Sequence, residues 1–128
     1  MQEEPLAELE ASTLDEITLV RICLVRVGPS EAGRLREPLF QLATGFGTPK
    51  LVVDMGMVEY LSSAAIAVIL GTSRRATERG GMLVLCNLSQ AVHDTFAPLP
   101  FKQLMNPSPR LPFFAATVQE GAELCRGS

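Results

Sequence analysis

KLVVDMGMVEYL (residues 50–61), followed at once by SSAAIAVILG (62–71), is the stretch whose reading decides the fold. Its first half is a short β-branched apolar run that ends on the charge of Asp54, the pattern of a buried strand. Its second half is a helix. Ser62 or Ser63 can cap it, alanine, isoleucine and leucine fill it, and Gly80-Gly81 close it. From Ala64 to Leu70 no face of this helix carries a charge, which predicts burial against the sheet at the centre of the domain. Two hydroxyls therefore stand where a strand hands over to a buried helix, beside backbone N–H groups that the first helical turn leaves unpaired.

Upstream, ITLVRICLVRV (17–27) reads as one or two strands with a bend near Cys23. Gly28-Pro29-Ser30 breaks it, and Ser30 is placed to cap a helix that begins at Glu31. Leu35, Leu39 and Leu42 give that helix one apolar stripe, and Pro38 within it predicts a kink or a later start. Residues 44–49 are a loop. The first fifteen residues carry four glutamates within the first ten and few large apolar groups. They read as an acidic arm (1–15) ahead of a single domain (16–128), on which Leu9 and Leu14 can dock.

Downstream, Met82 to Cys86 is a second unbroken apolar strand, and Ser89 caps a short helix that puts Val92 and Phe96 on one face. Residues 98–112 hold five prolines and read as irregular, with room for one helical turn from Lys102 to Met105. Phe113-Phe114-Ala115 is a last short strand. Thr117 with Glu120 forms a capping box that opens a final helix to Cys125. Strands alternating with helices, and reading as continuous apolar runs, predict an α/β fold. Its small, mostly parallel sheet has four to five strands and about four covering helices. In such sheets functional loops gather beyond the carboxyl ends of the strands. Here those loops are Gly28 to Ser30, Gly56 to Ser63 and Asn87 to Ser89.

The totals narrow the function. A chain of 128 residues with 47% hydrophobic content is one globular domain rather than a disordered segment. A net charge of −3 and a pI of about 5.1 argue against nucleic acid as a partner. The three cysteines have no metal-ligand spacing, and Cys23 and Cys86 lie in apolar runs, which suggests a reducing compartment. No apolar run is long enough to span a membrane and no leader pattern is visible, so the expected location is the cytoplasm. The only histidine, His93, sits beside Asp94 on a short helix and reads as a surface residue. Asp54 and Glu59 lack a nucleophile to serve, and no zinc, phosphate-loop or nucleophile-elbow motif is present. The expectation is a non-enzymatic protein with no cofactor and no metal.

Ser62-Ser63 carries the remaining signal. One reading is a helix cap, the commonest use of serine at such a position. The other is a phosphorylation site. A phosphoryl group adds about −1.5 to −2 charges at a helix N-terminus, where the dipole accepts them, and blocks a partner that packs there.

LVVDMGMVEYLSSAAIAVILG (51–71), followed by RGGMLVLCNLSQAVHDTF (79–96), resembles the STAS domain of bacterial anti-sigma factor antagonists. That family shows a strand ending in Asp, a DSSGLG motif, an apolar helix, a Gly-Gly turn, an apolar strand and a serine-led short helix. FFAATVQEGAEL (113–124) is similar to its closing strand and helix. Aligned without gaps, Ser62 stands at the motif's Asp, Ser63 at its phosphorylatable serine, Ala64 at the second serine, and Ala65 and Ala67 at the two glycines. The resemblance implies a mixed sheet whose first strand runs against an otherwise parallel set. It also implies a role in transcription control: binding an ATP-dependent anti-sigma factor that is also a serine kinase. Phosphorylation at Ser63 (alternatively Ser62) ends the binding, and a phosphatase restores it. The partner-binding residues it implies are Gly28, Ser30, Glu59, Ser62, Ser63, Ala64, Asn87 and Ser89. The same domain also serves as an unphosphorylated scaffold or ligand-sensing module, and a homodimer is compatible with either role. A small hydrolase, the third class, would need a base beside Ser63.

Overall fold

The computed structural model describes residues 8–45, 47–96 and 112–127. In chain order the elements are β1 (Leu9–Leu14), β2 (Ile17–Ile22), β3 (Arg26–Val27), α1 (Pro29–Ala43), β4 (Lys50–Asp54), β5 (Tyr60–Leu61), α2 (Ser63–Glu78), β6 (Met82–Cys86), α3 (Gln90–Phe96), β7 (Phe113–Ala115) and α4 (Val118–Arg126). Five strands form one sheet in the order β1-β2-β4-β6-β7. β1 runs antiparallel to β2 and every other pairing is parallel, as the strand–helix alternation predicts. β3 and β5 form a separate parallel pair at the carboxyl end of the sheet.

The unbroken apolar runs of β4 and β6 follow from burial on both faces. Leu51 and Val53, with Leu83 and Leu85, point into a core closed by α1 and α2. Val52, with Met82, Val84 and Cys86, points the other way and meets Ala122 and Cys125 of α4. There α4 lies close to the sheet: a Cβ at Gly121 would stand 3.0 Å from a methyl of Val52 and 3.3 Å from one of Val84. No described helix is long and apolar enough to cross a membrane.

Four local expectations change in the folded chain. Leu9–Leu14, read as part of the acidic arm, is the edge strand β1, in register from Leu14 opposite Ile17 to Leu9 opposite Ile22. The charges do not prevent this. Leu9 packs on the α1–α2 core, and the Glu8 carboxylate takes two hydrogen bonds from the Arg34 guanidinium, at 2.9 and 2.6 Å. Ser30 is not a cap. Gly28 is the N-cap of α1, Pro29 takes the first helical position that suits its fixed φ, and the Glu31 carboxylate accepts the Gly28 N–H at 3.0 Å. Pro38 neither ends nor delays α1, which runs through it. Pro38 lies on the exposed face, where water can satisfy the carbonyl it leaves without a partner. Finally, α2 is not buried all round: Ser63, Ala64 and Ala67 are exposed, whereas Ala65, Ile66, Val68 and Ile69 are buried. The expected turn at Lys102–Met105 lies outside the described residues.

Cys86 and Cys125 are buried in the α4-side core. Burial, with a smaller contribution from Asp54, pushes the Cys86 thiol from the ordinary 9.0 up to about 11, and burial raises Cys125 in the same direction. Because the folded pKa is raised, the unfolded chain loses these protons first. Stability is then constant below the ordinary thiol pKa and falls as pH rises from about 9 to about 11. Melting temperatures across that range should drop for the wild type and drop less for Cys86→Val; parallel slopes for the two proteins would contradict this.

Candidate functional site

The chain leaves β4 at Asp54 and makes a tight turn at the carboxyl edge of the sheet. One Asp54 carboxylate oxygen accepts the Gly56 N–H at 2.9 Å and the Asn87 side-chain amide at 3.0 Å. Asn87 adopts a positive φ of 59° to reach it, a conformation asparagine tolerates, and its backbone N–H donates to Ala116 at 3.2 Å. This clamp joins the turn after β4 to the turn after β6. Asn87 is thus committed to Asp54. Ser89 caps α3 by accepting the Val92 N–H at 3.2 Å.

The segment after the turn is set by β3. Val25 accepts the N–H groups of Glu59 and Tyr60, and Val27 accepts that of Ser62 at 2.9 Å. The register Val27 opposite Leu61 places Gly28 beside the start of α2. The Arg26 guanidinium lies over the Tyr60 ring, 4.5 Å from its centroid, and holds the aromatic at the surface.

The two serines are now divided. Ser62 is only 7% exposed, and its hydroxyl oxygen accepts the Ala65 N–H at 3.1 Å while its carbonyl accepts the Ile66 N–H at 3.0 Å. It is the helix cap. Serine and aspartate are about equally good N-caps, so Ser62 does the capping that a carboxylate would do at this position. Ser63, one residue on, is the first helical residue and is exposed. Removing the cap leaves a buried N–H unmet, so Ser62→Ala should cost about 1 kcal/mol in urea unfolding, whereas Ser62→Asp stays close to wild type. Equal losses in both variants would show that Ser62 is needed for something other than its cap.

Several apolar side chains of the neighbouring segments are exposed: Val25 at 47%, Met57 and Tyr60 at 41% each, and Ala64 and Ala67 on α2 itself. Val25, Met57 and Ala67 escaped the sequence reading, because apolar residues in a strand, turn or helix are first taken as core. The one usable signal was Met57, an unbranched apolar residue just after the Gly56 turn. Glu59 is exposed as well. Ser30 is exposed on the first turn of α1, two residues after Gly28.

Among the described residues nothing hydrogen-bonds the Ser63 hydroxyl. His93 meets the Phe114 ring edge-on with centroids 6.2 Å apart, and among the described residues no group of histidine, cysteine and carboxylate side chains is placed to hold a metal ion. What the site presents is an exposed hydroxyl at the start of α2, next to the exposed Ala64.

Comparison with known proteins places this geometry. The family model of the STAS domain matches residues 8–120. BtrV of Bordetella bronchiseptica, a candidate anti-sigma factor antagonist, is 32% identical over 85 residues, covering 66% of this chain and 73% of BtrV. Among solved structures, an anti-sigma-factor antagonist (STAS) domain protein from Planctomyces limnophilus superposes with a TM-score of 0.79 at 16% identity, over 94% of this chain and 99% of that one. An RsbS variant from Moorella thermoacetica gives a TM-score of 0.69 at 21% identity, over 94% and 97%. At such identities the two structures speak for the fold alone.

Proposed function

Because the chain belongs to the STAS domain family, we propose that it acts as an anti-sigma factor antagonist: a non-enzymatic, cytoplasmic regulator of transcription that works by protein contact. Its partner is an anti-sigma factor that is also a serine kinase of the ATP-binding type, and Ser63 is the residue this kinase modifies. The observation that carries the reading is the division of labour at the start of α2. Ser62 is buried and capping, while Ser63, the next residue, is exposed beside the exposed Ala64.

The physics of the switch follows. Unmodified, this surface is desolvated against the partner, and the two exposed alanines let its backbone come near α2. A phosphoryl group on Ser63 adds about −1.5 to −2 charges inside that contact. The helix N-terminus tolerates this charge in the free protein, so the fold survives while the interface does not. A phosphatase that removes the group restores binding.

Intact-mass spectrometry after incubation with ATP and a cognate serine kinase tests the assignment. One added phosphate is expected, lost in Ser63→Ala and kept in Ser62→Ala. A phosphate that persists in Ser63→Ala, or none at all while the kinase modifies its own standard substrate, would overturn it. The exposure of Ala64 and Ala67 equally suits a second reading, an unswitched scaffold module. That reading predicts an unchanged mass together with stable incorporation into a larger assembly.

A further inference from the structure

We propose that the free edge of β1 is a self-association surface, on which a second copy of the chain docks through the same strand, antiparallel and about a two-fold axis. β1 is an edge strand with five of its six residues exposed, and among the described residues its outer side pairs with nothing. Natural edge strands are commonly blunted by charged side chains, proline or a bulge. β1 has no proline and no lysine, its register with β2 is unbroken over six pairs, and Glu10 is its single charge.

The backbone determines which groups the edge offers. Glu8 accepts the Cys23 N–H at 2.8 Å, so Glu8 belongs to a pair bonded to the β2 side of the hairpin. Bonded and non-bonded positions alternate along an antiparallel ladder. The N–H and C=O groups of Leu9, Ala11 and Thr13 therefore point outward. Opposed residues of a two-fold antiparallel pair share a face, which leaves few registers. With Ala11 on the axis, Leu9 meets Thr13 of the second copy, all three outward residues are bonded, and Glu10 lies opposite Ser12. With Glu10 on the axis, two carboxylates would oppose each other, an unfavourable pairing. With Ser12 on the axis, Leu9 would face Asp15, which sits in the turn at a φ of 58°. The Ala11 register loses no bond and sets the two Glu10 side chains diagonally, about 7–8 Å apart, instead of directly opposite each other. The opposite edge, β7, has only three residues and a different sequence, so the association closes as a dimer and does not continue into a fibre.

Cross-linking and sedimentation test this. In a Cys23→Ser background, Ala11→Cys brings two thiols to the axis, where bonded pairs have Cα atoms about 5.5 Å apart, inside the range of a disulfide. Mild oxidation should give a covalent dimer several-fold faster for Ala11→Cys than for Ser12→Cys or Glu10→Cys. Sedimentation equilibrium of the wild type should show a monomer–dimer equilibrium that Ala11→Pro abolishes, since this N–H serves no bond to β2. Ala11→Lys, which sets two ammonium groups face to face, should do the same without any backbone change, and circular dichroism verifies the fold of both. A wild type that stays monomeric at all concentrations, a dimer indifferent to Ala11→Lys, or faster cross-linking at Ser12 would overturn the proposal.

Discussion

Gly81→Ala should lose about 4 kcal/mol or more of unfolding free energy and lower the melting temperature by roughly 15 °C. A Cβ at this position would stand 1.7 Å from the Pro49 carbonyl oxygen, 2.7 Å from its carbon and 3.0 Å from its nitrogen. All three are backbone atoms, so no side chain can rotate out of the way. The contact exists because the chain must turn from α2 into the middle of the sheet within a few residues. Gly80 takes a positive φ of 84°, Gly81 donates to Ala76 at 2.8 Å, and Met82 donates to Pro49 at 3.0 Å as the first rung beside β4. Relieving the clash would displace the start of β4 from β6, the two strands that are buried on both faces. Gly33→Ala calibrates the measurement: it meets nothing within 4 Å on the exposed face of α1 and should gain about 0.5–1 kcal/mol from helix propensity. A loss below about 1 kcal/mol for Gly81→Ala in urea unfolding would mean that the approach of Pro49 is wrong.

The largest functional effect is expected from Ser63→Glu. If the partner covers this surface, a carboxylate there must be desolvated, and the Arg26 guanidinium is already stacked on Tyr60. An uncompensated buried charge commonly costs several kcal/mol, so affinity for the cognate anti-sigma factor should fall about 100-fold or more by titration calorimetry. Stability should hardly change, because an acidic residue in the first turn suits the helix dipole. Ser63→Ala removes only an exposed hydroxyl and should bind like the wild type. Unchanged binding by Ser63→Glu would place the partner elsewhere on the domain. Loss of binding in both variants would make the hydroxyl itself a contact rather than a switch.

Much of this architecture is legible in the sequence, for physical reasons that differ by element. β4 and β6 are unmistakable because burial on both faces excludes polar residues from Leu51 to Val53 and from Met82 to Cys86. The Thr117 capping pair is local chemistry, and in the fold Thr117 accepts the Glu120 N–H at 3.1 Å. β1 is hidden because its glutamates read as solvated, and the arginine that meets Glu8 lies 26 residues away. The cap of α1 moved from Ser30 to Gly28 because Pro29 enters a helix at its first position, which outweighs a serine side chain.

At the site, local sequence offers two adjacent serines and cannot choose between them. The choice comes from tertiary structure: Leu61 pairs with Val27, which fixes the residue at which α2 begins and buries Ser62. The exposure of Val25, Tyr60 and Ala67 was illegible for the converse reason. An apolar residue on a surface looks like core until the rest of the fold fails to cover it.

The central claim is that one phosphoryl group on Ser63 releases the partner while leaving the domain folded. The most direct test prepares the stoichiometrically phosphorylated protein, verifies the position by tandem mass spectrometry, and titrates it and the unmodified protein into the anti-sigma factor. The account predicts nanomolar-to-micromolar binding for the unmodified protein and at least about 100-fold weaker binding for the phosphorylated one, with melting temperatures within a few degrees. Equal affinities for the two forms would contradict it.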